Sequence, residues 1–149
     1  MAWMGVLTWL GDHRWVVAAA ILIVWWGRRR RELWAAGAGV ALALIIAAVL
    51  KVAFHRPRPD EAMAGLFVAH PGIGPSFPSG HATAAFALAA LLSVGWRRWR
   101  GLWWTLAAGV AWSRLYLGLH YPSDCVAGAL LGAGAVFGTV WVVRSAQPK

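Results

Sequence analysis

Acidic residues are nearly missing from this 149-residue chain: five Asp and Glu stand against 14 Lys and Arg. Charge of either sign is scarce, at 13% of residues, where an ordinary soluble domain carries about 25%. With 60% of residues hydrophobic and a mean hydropathy of +0.61, an isolated water-soluble globule and a disordered chain are both excluded. The single cysteine, Cys125, excludes an internal disulfide, so cysteine usage says nothing about redox compartment. Lysine is rare too: Lys51 and Lys149 are the only two, and the remaining cations are arginines. In a soluble protein a net charge of +9 would read as nucleic-acid binding. In a membrane chain the same excess reads as positive-inside signals and contact with anionic headgroups. What remains is one small integral-membrane domain, residues 1–149.

The apolar runs predict an all-α polytopic membrane bundle of about five to six transmembrane helices. Leu33–Leu50 is uncharged and just long enough to cross. Ala82–Trp96 gains length if its helix begins at Ser79. Leu102–Leu119 is interrupted only by Arg114, and Cys125–Val143 is uncharged. At the N-terminus, Trp15–Trp26 is too short to span alone, and Gly11-Asp12-His13-Arg14 separates it from apolar Met1–Leu10. That pattern is read as a tilted or extended first span with an interfacial start. The basic residues follow this stretch instead of preceding it, which speaks against a cleaved signal peptide.

Three basic clusters alternate with these runs: Arg28–Arg31, then Arg97, Arg98 and Arg100, then Arg144 and Lys149. Placing all three in the cytoplasm gives five crossings and a cytoplasmic C-terminus. Residues 51–77 and 114–124 then face the opposite, extracytoplasmic side. Trp25, Trp26, Trp34, Trp96, Trp99, Trp103, Trp104 and Trp141 fall at predicted span ends, as an aromatic belt does. Gly128/Gly132 and Gly134/Gly138 repeat the spacing that lets membrane helices approach closely.

Three stretches break the membrane pattern, and all fall on that one side. They are Lys51-Val-Ala-Phe-His-Arg-Pro-Arg58-Pro59, Pro78-Ser79-Gly80-His81, and Ser113-Arg114 through His120 to Asp124. Ionisable residues at a membrane are costly and are candidates for function. Lys51, Arg58 and Arg114 offer positive charge and N–H donors suited to phosphoryl oxygens. Pro78-Ser79-Gly80 reads as a helix N-terminus, where free N–H groups favour an anion. One histidine can attack phosphorus and another can protonate the departing oxygen. Asp124, four residues after His120, can fix the imidazole tautomer.

Each piece also has a plainer reading. Pro122-Ser123-Asp124 would serve as a helix start, His81 as an interfacial helix residue, and Arg114 as a snorkelling side chain. A metal site built from His81, His120 and Asp124 is conceivable, although three nearby cations would repel the ion. His55, Arg56 and His70 are read as a solvated interfacial loop, with a second phosphate site as the alternative.

Taken in order, Lys-x6-Arg-Pro, Pro-Ser-Gly-His and Ser-Arg-x5-His-x3-Asp resemble the signature of the type-2 phosphatidate phosphatase superfamily. The likeness runs from Lys51 to Asp124, and every signature position is present. The superfamily also includes bacterial undecaprenyl-diphosphatases, glucose-6-phosphatases and soluble vanadium haloperoxidases, the last of which the composition rejects. The resemblance implies an all-helical core with no required metal or cofactor. It also implies His120 as the nucleophile forming a phosphohistidine, His81 as general acid and Asp124 as the residue orienting His120. Lys51, Arg58, Ser79, Gly80 and Arg114 would hold the phosphate. The expected substrate is a lipid phosphate or diphosphate, with undecaprenyl diphosphate ahead of phosphatidic acid and phosphatidylglycerol phosphate. A non-enzymatic transport or lipid-binding protein is the rival class. Membrane lipids are the expected surroundings, and nucleic acid is set aside as a partner.

Overall fold

The computed structural model describes residues 12–27, 29–59 and 73–146. The readings that fall on Met1–Leu10, Arg28, His70 and Lys149 therefore lie outside the described residues. Among those described there are five α-helices and no strand: α1 (His13–Trp26), α2 (Arg31–Phe54), α3 (Gly80–Gly95), α4 (Arg100–Tyr116) and α5 (Pro122–Ser145). A short 3-10 turn, Arg97–Trp99, leads into α4.

Local chemistry explains where the helices begin and end. Asp12 caps α1 by accepting from the Arg14 amide at 2.9 Å, and Ser79 caps α3 through the Ala82 amide at 3.4 Å. Proline opens α5, where its missing N–H costs nothing. At the end of α4 the chain turns through Gly118 at φ 66°. The Gly118 amide donates to the Leu115 carbonyl and the Leu119 amide to Arg114, a Schellman closure that needs a left-handed residue. This turn aims His120 back toward the bundle.

Helix α3 is the centre, with all four other helices packed on it. Its buried residues, among them Ala82, Thr83, Ala84, Ala87, Ala90 and Leu91, cover every side, as a helix enclosed by neighbours requires. Small residues let α5 press against it. A Cβ on Gly132 would sit 2.3 Å from the Thr83 carbonyl oxygen, and one on Gly128 would sit 2.7 Å from the Ser79 carbonyl oxygen. The second pair differs: a Cβ on Gly134 or Gly138 would meet nothing within 4 Å. The expected close packing thus holds for Gly128/Gly132 only, because the other pair lies on a face of α5 that no helix among the described residues covers.

Apolar side chains also line the outside, including Ile21 at 62% and Leu130 at 70% exposure, as expected of a bundle whose surroundings are hydrocarbon. By length and composition, α2 and α5 can cross a membrane, at 24 residues each. Helices α1 and α3 are apolar but shorter, at 14 and 16 residues, or roughly 21–24 Å against a hydrocarbon core of about 30 Å. The expected tryptophan belt agrees in exposure with Trp25, Trp26, Trp34, Trp96, Trp99 and Trp141. It is corrected for Trp104, whose ring packs between Phe86 and Phe137 at 5.7 and 6.1 Å, and for half-buried Trp103.

The bundle has two unlike ends. Helix order puts Arg29–Arg31, Arg97, Arg98, Arg100 and Arg144 at one end, where Arg144 and Glu32 tie α5 to α2 at 2.9 and 3.0 Å. The three unusual stretches gather at the other.

Candidate active site

Two loops and one turn build this second end. After α2, His55 takes a left-handed conformation at φ 41° and its amide closes on the Lys51 carbonyl, which ends the helix. The chain then presents Arg56 and Arg58. The returning segment, residues 73–79, lies alongside: the Ser76 amide donates to the Arg56 carbonyl at 2.8 Å. The Ser79 amide donates to the Asp124 carbonyl at 3.0 Å, joining this segment to the start of α5.

Arg58 knits these pieces together. Buried to 8% exposure, it donates from Nε to the Gly74 carbonyl at 2.7 Å and from Nη2 to Ile73 at 3.1 Å. Its Nη1 donates to the Leu119 carbonyl at 3.1 Å and stands 3.4 Å from His120 Nε2. Lys51 reaches over from the last turn of α2 and donates to the Pro75 carbonyl at 2.7 Å. Lys51, Arg58, Gly80, His81 and His120 line one cavity of about 380 Å³, with Leu44, Ala47 and Ala48 supplying an apolar wall. Arg114 is buried in the last turn of α4 at 3% exposure, so the snorkelling alternative does not hold.

His120 is buried, with its Nδ1 side turned to Asp124 and Ser76. Burial, and then the nearby Arg58 and Lys51 charges, hold this imidazole far below its ordinary pKa of 6.5, against the opposing pull of Asp124. The ring is neutral at neutral pH, with a nitrogen lone pair available for attack on an electrophile. Cations already in place around that nitrogen can stabilise negative charge on a phosphoryl group.

The expected direct bond between His120 and Asp124 needs correction. Nδ1 lies 3.6 Å from Asp124 Oδ2, beyond hydrogen-bond length. The Ser76 hydroxyl intervenes: it donates to Asp124 Oδ2 and lies 3.5 Å from His120 Nδ1. The Tyr121 amide also donates to Oδ2, at 2.9 Å, and Arg56 Nη1 donates to Oδ1 at 2.8 Å. Arg56 is thus no solvated loop residue. Its guanidinium also donates to Ser123 Oγ at 2.8 Å and lies 4.1 Å from the Tyr121 ring centre. His55 is exposed, as a solvated loop would have it.

Sequence reasoning passed over Ser76 and His13, which lines the cavity from the start of α1. It also undervalued Arg56. An isolated serine before Phe77-Pro78 carries no signal of its own. Arg56 had one, since Arg-Pro-Arg-Pro sets two arginines two residues apart at the end of a helix.

A family model described as the PAP2 superfamily matches residues 32–148. The chain belongs to the PAP2 superfamily. Among its relatives, a decaprenylphosphoryl-5-phosphoribose phosphatase of Mycobacterium tuberculosis is 39% identical over 138 residues, covering 90% of this chain and 76% of that protein. YbjG of Escherichia coli, which carries a provisional undecaprenyl-diphosphatase name, is 36% identical over 94 residues, covering 62% of this chain and 48% of its own. The crystal structure of Aquifex aeolicus LpxE superposes with a TM-score of 0.83 at 24% identity, covering 94% of this chain and 84% of that one. That likeness establishes that the two chains share a fold.

Proposed function

We propose that this PAP2 protein removes the terminal phosphate from a polyprenyl-linked lipid, with undecaprenyl diphosphate going to undecaprenyl phosphate as the leading reaction. One observation carries the reading: His81, His120, Lys51 and Arg58 line a single cavity at one end of an apolar helical bundle. The polyprenyl choice is supported by the decaprenylphosphoryl-5-phosphoribose phosphatase and by the name of YbjG. Phosphatidic acid and phosphatidylglycerol phosphate are the alternatives.

In the proposed cycle His120 Nε2 attacks the terminal phosphorus as the bond to the leaving oxygen breaks, and His81 protonates that oxygen. His81 then takes a proton from water, which attacks the phosphohistidine and frees phosphate. Lys51, Arg58 and Arg114, with the amides at Ser79 and Gly80 on the α3 N-terminus, hold the phosphoryl oxygens. Asp124 sets the His120 ring. No step calls for a metal ion, so EDTA is expected to leave the rate unchanged.

The same reading makes the chain a single domain crossing the membrane five times, with the arginine-rich end and C-terminus cytoplasmic. The site then opens on the extracytoplasmic face. Phosphate release by the purified protein from undecaprenyl diphosphate, decaprenylphosphoryl-5-phosphoribose, phosphatidate and phosphatidylglycerol phosphate tests the substrate. Fastest release from a polyprenyl substrate is expected. A preference for a glycerolipid would overturn the tail assignment, vanadate-insensitive release would count against the phosphohistidine cycle, and no release at all would return the non-enzymatic class.

A further inference from the structure

We propose that Ser76 and Arg56 are positioning residues that set the geometry of the His120–Asp124 pair and the tautomer of the imidazole. The proposal rests on the reading of His120 as the attacking group.

Three observations support it. First, a hydroxyl has one proton to donate, and Ser76 gives it to Asp124 Oδ2. Its remaining lone pairs lie 3.5 Å from His120 Nδ1, beside the Asp124 carboxylate at 3.6 Å, so both side chains on that side of the ring offer it acceptors. An acceptor there keeps the proton on Nδ1 and leaves the Nε2 lone pair toward Arg58 and the cavity. When Nε2 bonds to phosphorus, the ring becomes cationic, and the carboxylate responds through the serine oxygen.

Second, Asp124 is completely buried, and a buried carboxylate stays ionised only with a charge partner or several donors. Arg56 is the cation in hydrogen-bond contact with it among the described residues. The other groups facing it are Tyr121 and His120 from the turn and Ser76 from the returning segment, with Lys51 and Cys125 interacting at longer range. Third, the two residues form one unit. The Ser76 amide holds the Arg56 carbonyl at 2.8 Å, and Ser123 and the Tyr121 ring fix the guanidinium.

The test uses the full chain in detergent with para-nitrophenyl phosphate, whose turnover does not depend on the lipid tail. Ser76→Ala is expected to lower kcat about 10- to 100-fold with KM nearly unchanged, as loss of a partner behind a functional histidine does. Ser76→Thr, which keeps the hydroxyl, is expected to recover most of that loss. Arg56→Gln is expected to lower kcat about 10-fold with KM nearly unchanged, because the buried Asp124 carboxylate loses its charged hydrogen-bond partner. Arg56→Lys, which keeps the charge, is expected to recover part of that loss. Should Ser76→Ala not accumulate, Ser76→Cys replaces it with the same expected loss.

Wild-type kcat in the Ser76 variant, or in Arg56→Gln, would overturn the proposal. His120→Gln separates the two levels of inference. Phosphate release by that variant would remove the underlying reading, whereas an inactive His120→Gln beside wild-type-like Ser76 and Arg56 variants would remove only this one.

Discussion

The two ends of the bundle carry the same residue type in opposite circumstances. At the arginine-rich end Arg29, Arg30, Arg97, Arg98 and Arg100 are exposed, and Arg144 meets Glu32 where both side chains are open to water. At the other end Arg58 and Arg114 are buried, and Arg58 alone satisfies three carbonyls and approaches a histidine. Exposed charges keep their water and need no fixed geometry. Buried ones have lost their water and must be held by named partners, which is what a site for a charged group requires. The basic excess of the composition is therefore two populations in two settings.

The sharpest way to break this comparison is to remove the group that the buried cations surround. His120→Gln is expected to lower phosphate release by about 10⁴-fold or more, in line with loss of other nucleophiles. Retention of even a tenth of the rate would show that the cations serve something else. A matched pair comes next. Arg58→Ala leaves the Gly74, Ile73 and Leu119 carbonyls unpaired and is expected to cost about 100- to 1,000-fold in kcat and a few kcal/mol in stability. Arg144→Ala at the opposite end is expected to leave kcat unchanged and to alter stability by no more than about 1 kcal/mol. Equal effects from the two would erase the distinction between the ends.

Much of this site was legible in the sequence because the motifs combine charge with punctuation. Pro78-Ser79-Gly80 marks a helix start, and the three motifs fall at the ends of apolar runs, so helix packing together with the loops at that end brings Lys51, Arg58, His81 and His120 to one cavity. Ser76 was illegible because its importance arises from a contact 48 residues away, and such pairings have no local signature. Arg56 was misread because its neighbours His55 and Pro57 point to solvent, while its own guanidinium turns inward to Asp124. The helices themselves followed from hydropathy; their lengths did not. Alanine-rich α3 needs only 16 residues because it is enclosed by the others.

Glycine provides a second contrast with a smaller expected effect. Gly132→Ala places a methyl 2.3 Å from the Thr83 carbonyl oxygen, so α5 must move away from α3. The expected cost is about 1–3 kcal/mol. Because Asp124 and the Ser79 amide meet across this same crossing, activity is expected to fall as well. Gly134→Ala meets nothing and is expected to be neutral or to stabilise by up to about 1 kcal/mol through helix propensity. Thermal unfolding of the two variants in detergent reads the difference, and a destabilised Gly134→Ala would mean that this face is not open.

The smallest effect concerns pH. The folded protein keeps His120 neutral well below its ordinary value of 6.5, chiefly by burial and then by Arg58 and Lys51. In the unfolded chain the same imidazole takes up a proton as pH falls through about 6.5. Below that point the unfolded state binds more protons than the folded one, so stability present above 6.5 is lost progressively as pH drops toward the depressed folded value. His120→Gln has no such proton to bind. Between about pH 6.5 and pH 5 the wild type is expected to lose stability more steeply than the variant, by up to about 1.4 kcal/mol per pH unit. Parallel slopes would mean that His120 titrates alike in both states, and that the buried end of the bundle does not impose on this ring the desolvation that separates it from the exposed end.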